Sequence, residues 1–144
     1  MRIWLILFVL CALMEAYGQR VEVPVQSYTS TGPAIELASI RAMVADPTWA
    51  RIAKAKVILQ KRERDSFRDT AWLETDQEGN FDFGKRSPGI YRLSVSARGF
   101  CEATILIKVS AKGQPGIKIA LPIGVSDTPS GYCDKKLVIE QMKK

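Results

Sequence analysis

Between Ser39 and Leu121 apolar residues fall on every second position, in short runs broken by turn residues at spacings of about ten. A strand sends successive side chains to opposite sides, so this period describes strands with one dry face and leaves no sustained helical stripe. Ile40, Ala42 and Val44 alternate until Asp46-Pro47, where proline cannot donate to a ladder and biases its predecessor away from helix. Ala55, Val57 and Leu59 alternate next, followed by a polar stretch from Lys61 to Asp69. Ala71 to Thr75 is a third short strand, with Trp72 and Leu73 on opposite sides. Composition alone also admits a helix over Glu36 to Ala45, because short apolar runs are ambiguous.

The stretch TDQEGNFDFGKRSPGIYRLSVSARGF, from Thr75 to Phe100, continues the pattern. Asp76, Gly79 and Asn80 carry turn chemistry: Asp and Asn bond their own backbone, and Gly accepts positive φ. Phe81 and Phe83 then face one side of a strand and Asn80 and Asp82 the other. Pro88-Gly89 makes a second reversal. Tyr91, Leu93, Val95 and Ala97 form the next inward row, then Ala103, Ile105, Ile107 and Val109, then Ile117, Ile119 and Leu121 before Pro122. Short strands with one dry face each predict an all-β fold, a seven-stranded antiparallel β-sandwich. Phe81, Phe83, Tyr91 and Val95 are expected in its interior.

These residues carry a resemblance. Ser39-Ile-Arg-Ala-Met-Val-Ala-Asp-Pro, Ala55-Lys-Val-Ile-Leu, the D-x-x-G-x-F-x-F run from Asp76 to Phe83, Pro88-Gly-x-Tyr91 and Gly99-Phe100 resemble the carboxypeptidase regulatory-like domain. The resemblance spans about residues 38–122 and implies a prealbumin-like, transthyretin-like β-sandwich. Where that family commonly has a Gly and then Pro-Gly between its first two strands, this chain has Trp49 and Ile52-Ala53-Lys54. The family resembles accessory domains beside metallocarboxypeptidase catalytic units and surface modules of bacterial proteins. What it implies is a structural or adhesive role, since fold does not itself confer activity.

The first residues, MRIWLILFVLCALMEAYGQ, combine Arg2, an apolar run from Ile3 to Met14 and an A-x-G ending, the layout of a secretory signal peptide covering 1–18. Twelve apolar residues, Ile3 to Met14, fall short of the about 20 that a membrane-crossing helix takes. A lipoprotein start at Cys11 is a weaker reading, because bulky Leu10 precedes it. The chain is therefore expected to be secreted or periplasmic, with no integral span in its mature form. Cleavage would leave 144 − 18 = 126 residues: an extension over 19–37, the domain over 38–122 and a tail over 123–144.

Removing Arg2 and Glu15 keeps the net charge at 20 − 14 = +6. The cations are scattered along the sequence, which suits a solvated surface better than a dedicated anion site, and export disfavours nucleic acid as a partner. Cys101 and Cys133 are the two cysteines of the mature chain, and an oxidising compartment favours a disulfide that tethers the tail over two unlinked thiols.

No histidine is present, so neither a zinc-peptidase ligand set nor a serine triad can be assembled, and no cofactor, metal or catalytic residue is expected. Glu74, Asp76, Glu78 and Asp82 cluster around a turn; solvated charge explains them better than paired glycosidase carboxylates or a calcium loop. Trp49 and Trp72 are the candidate binding surface, since an indole can anchor a partner or stack on a sugar; the bland reading is that Trp72 packs in the sandwich and Trp49 covers an open end. Exposed strand edges are a second route. The chain thus reads as a non-enzymatic module for envelope or extracellular protein interactions, the alternative being a carbohydrate-binding module that uses these tryptophans. Its partner is not named by the sequence.

Overall fold

The structure, a computed structural model, describes residues 27–29, 33–124, 133 and 137–142. The signal-peptide segment 1–18 lies outside the described residues. Ten strands follow in chain order: β1 Ser27–Thr29, β2 Ile35–Leu37, β3 Arg41–Ala45, β4 Lys56–Glu63, β5 Ser66–Glu74, β6 Asn80–Asp82, β7 Gly89–Ser96, β8 Glu102–Val109, β9 Ile117–Ala120 and β10 Val138–Gln141. The described residues contain no helix: Glu36 and Leu37 end β2, Arg41 to Ala45 is β3, and Ala38 to Ile40 connect them.

Two sheets form the sandwich. The larger has six strands in the order β1-β8-β7-β4-β5, with β2 also on β8; the smaller runs β10-β9-β3-β6. Both inner faces are built from the alternating positions: Val57 and Leu59, Leu93 and Val95, Ile105 and Ile107 from the larger sheet, and Ala42, Val44, Ile117 and Ile119 from the smaller, all at most 1% exposed. Phe81, Tyr91 and Val95 are buried, and Phe83 packs partly buried against them, its ring edge-on to Phe81 at 5.8 Å between centroids. Each buried side chain of this size contributes roughly 1.5–3 kcal/mol relative to exposure.

The seven expected strands are β3 to β9, and three more join them: β1, β2 and β10. The expected all-β sandwich is observed with most of its ladders antiparallel, and three pairs depart from that direction. β1 and β2 pair parallel with β8, and β3 pairs parallel with β9. β3 and β9 are separated by most of the larger sheet, and such distant strands can meet in either direction. β4 and β5 are longer than expected, because the polar stretch Lys61 to Asp69 is a hairpin rather than a connection. Glu63 pairs with Ser66 across a turn at Arg64 and Asp65, with Arg64 at φ 54°. Its charged side chains stand exposed at the end of the sheet and hide the strand period.

The tail returns to the domain. β10 pairs antiparallel with β9, and Cys101 and Cys133 form a disulfide across 32 residues of sequence. Ile139 turns inward to pack against the core.

Candidate functional site

Trp72 lies opposite Ile58 on β4, whose neighbours Val57 and Leu59 point into the core; its indole therefore projects from the outer face of the six-stranded sheet. It is 66% exposed, against 47% for Ile123 and 44% for Val138, the other large apolar residues exposed among those described. The bland reading of Trp72 as a core residue is thus corrected. β5 is an edge strand, and its outward positions have no second sheet to pack on.

A β-bulge shapes the surroundings. Leu59 pairs with Ala71 and Gln60 with Asp69, so Thr70 is the extra residue, and its hydroxyl donates to Leu59 O at 3.1 Å. Strict alternation puts Trp72 and Asp69, three apart, on opposite faces; the bulge brings both to the outside, as bulges re-aim side chains. There Asp69 Oδ1 accepts from Gln60 Nε2 at 2.6 Å, and Gln60 Oε1 accepts from Arg92 Nε at 2.6 Å. The Arg92 guanidinium in turn stacks 4.4 Å from the centroid of Phe67. The result is a polar row, Arg92-Gln60-Asp69, beside the row holding Ile58 and Trp72. An open cleft of about 350 Å³ beside Trp72 is lined by Lys56, Ile58, Asp69, Thr70, Ala71 and Trp72. The Lys56 ammonium sits 5.9 Å from the indole centroid. Gln60, Asp69 and Arg92 were not legible as site residues, because the bulge that gathers them breaks the period that reveals strands.

Trp49 does not join this surface. It follows the end of β3 in a tight loop: Asp46 Oδ1 accepts from Thr48 N at 2.8 Å, Thr48 Oγ1 at 2.7 Å and Ala50 N at 3.0 Å, and Asp46 N donates to Ala50 O at 2.9 Å. These bonds, the Thr48 hydroxyl first, hold the Asp46 carboxyl below the usual aspartate range. Trp49 itself has φ 68° and Lys54 φ 57°, at the places where the resemblance puts glycines, so two ordinary residues here carry left-handed backbone. The half-buried indole lies 6.0 Å from the Lys118 ammonium, and Lys118 projects from the outer face of the smaller sheet. The two tryptophans are on opposite sides of the sandwich.

The acidic cluster is tied up in turns. Asp76 Oδ1 accepts from Glu78 N at 2.9 Å and Asn80 N at 2.8 Å, and Asp82 Oδ1 accepts from Gly84 N at 2.6 Å. Glu74, Asp76 and Asp82 line an open cleft of about 520 Å³ with Arg41, while Glu78 lies outside it. Among the described residues no group of three or more metal-ligating side chains comes together.

A family model for the carboxypeptidase regulatory-like domain matches residues 39–122. No curated protein sequence matches the chain. Among solved structures, a crystal structure of (S)-allantoin synthase is similar with a TM-score of 0.50 at 10% identity, over 76% of this chain and 44% of that one. This chain thus spans less than half of that protein's length, and the likeness is one of fold alone. With the matched segment running from the start of the alternating pattern to its end, the chain belongs to the carboxypeptidase regulatory-like domain family.

Proposed function

We propose that the chain is an exported, non-enzymatic β-sandwich module that works by surface contact in the envelope or extracellular space, through the outer face of the six-stranded sheet. The observation that carries this reading is the 66% exposure of Trp72, a side chain that folding normally hides, beside an ordered polar row. The disulfide is consistent with an oxidising compartment, and the lack of histidine argues against a zinc-peptidase or serine-triad site. The face suits recognition better than the edge. β5 pairs with β4 and has no strand on its other edge among the described residues, but its bulge and the charges of Arg68, Asp69 and Glu74 blunt that edge against an added strand.

Two measurements test this. Mass spectrometry of the protein from its native host is expected to find a mature N-terminus at Gln19; an intact Met1 in an internal fraction overturns the export part. The wild-type chain immobilised on beads is expected to retain envelope or extracellular material that Trp72→Ala does not. Equal retention by both removes the Trp72 face from the function.

A further inference from the structure

We infer that the Trp72 face is a subsite for a neutral glycan chain, an inference that rests on the module reading above and narrows its partner. Three features of the face point to a sugar. The first is the pairing of one large aromatic surface with planar hydrogen-bonding groups held in fixed directions. A pyranose ring offers weakly apolar C–H groups on its faces and hydroxyls around its rim, so an indole against the face and a carboxylate or amide at the rim satisfy both. The row Arg92-Gln60-Asp69 supplies such groups. Its internal bonds use Asp69 Oδ1 and Arg92 Nε, and among the described residues Asp69 Oδ2 and the terminal Arg92 nitrogens make no protein hydrogen bond.

The second feature is charge. Lys56, Arg62, Arg92 and Lys108 stand with Glu36, Asp69, Glu74 and Glu102 on this face, four cations against four anions among the described strands, although the whole chain carries +6. The face is balanced where the chain is basic, which favours an uncharged ligand over a polyanion.

The third is the scale of the apolar surface. A protein partner is anchored by a central cluster with a ring of contacts that excludes water. Here the indole is flanked in its own row by Ile58 and then by Ser94, with the polar row on one side. Ile123 and Val138 are not on this face, and the other aromatic there, Phe67, is half-buried against the Arg92 guanidinium, so among the described residues Trp72 is the exposed aromatic shelf and not part of a broad apolar patch. A cleft of about 350 Å³ lies within the range of small-ligand sites, about 300–1,000 Å³.

The test uses the full secreted chain with cello-, manno-, xylo- and chito-hexaose, and with heparin as the polyanion control. At least one neutral hexaose is expected to shift tryptophan emission and to give a saturable calorimetric isotherm. Trp72→Ala and Asp69→Ala are each expected to weaken that affinity about tenfold or more, while Trp49→Phe retains it. Circular dichroism and thermal melts establish that each variant is folded. Binding that survives Trp72→Ala, or binding confined to heparin, overturns the inference. If no hexaose binds but envelope material is still retained in a Trp72-dependent way, the glycan assignment falls and the module reading stands. If neither occurs, both fall.

Discussion

The two exposed sides of the sandwich each carry a tryptophan with a lysine near its ring, and they solve different problems. On the smaller sheet, Trp49 is half-buried in a loop fixed by three hydrogen bonds to one carboxylate oxygen, and it accepts left-handed backbone to stay there. On the larger sheet, Trp72 sits in regular strand geometry, and no packing requirement explains its indole. Left-handed backbone in a bulky residue costs of order 1–3 kcal/mol, and surrounding bonds must over-determine it. The first indole is therefore part of how the chain folds; the second is surplus to folding and available for binding.

The largest expected break in that contrast is at Gly79, which anchors the Trp49 side. Its carbonyl accepts from Val44 N at 2.7 Å, its φ is 72°, and a Cβ there would lie 2.5 Å from Val44 O. Gly79→Ala combines strain with overpacking and is expected to cost about 3 kcal/mol, read as a lower urea midpoint at unchanged slope. An unchanged midpoint means that the loop and turn are not coupled as described. Asp46→Ala is expected to be milder. It removes the acceptor for three hydrogen bonds, so Trp49 emission is expected to move toward that of solvated indole while Trp72 emission is unchanged.

Much of this fold could be read from residue order, and the reasons for what could not are local. The β7 row of Tyr91, Leu93 and Val95 is legible because both requirements of a strand, a dry face and a wet one, are met by consecutive residues. The hairpin from Lys61 to Asp69 is illegible because it extends past the core, where both faces are wet and alternation has nothing to report. β10 escapes for a related reason: its burial depends on Ile139 alone, and its place on β9 is fixed by long-range pairing and the disulfide. At the site, Trp72 announces itself as a residue type. Asp69 and Gln60 become meaningful through the bulge at Thr70, and a bulge leaves no mark in a polar run of sequence.

Acid separates the sides more gently than substitution. Asp46 is held below the ordinary aspartate value, about 3.9, by the Thr48 hydroxyl first and then by backbone amides. A folded carboxyl held low stabilises the fold above its unfolded value, and that contribution is lost as pH falls through the lower folded value. Trp49 emission is therefore expected to change below about pH 4 in the wild type and to lose that step in Asp46→Asn, which keeps an acceptor oxygen but does not titrate. Glu36 is also held low, by the Ser110 hydroxyl and then by Lys108, but it sits on β2 and is distant in register from either indole. An acid step that persists in Asp46→Asn would assign the change to another carboxylate.

The smallest stability effect is expected at Trp72, and it is the most discriminating. Replacing a tryptophan in a sandwich core removes a large buried area and costs about 3–5 kcal/mol. Trp72 is 66% exposed, and the core positions beside it, Val57 and Leu59, are sealed without it. Trp72→Ala should therefore leave the urea midpoint within about 0.5 kcal/mol of wild type. A loss of several kcal/mol would place the indole in the folding machinery alongside Trp49 and erase the contrast between the faces. A midpoint that stays put while ligand response disappears would locate the reason for the residue outside the fold.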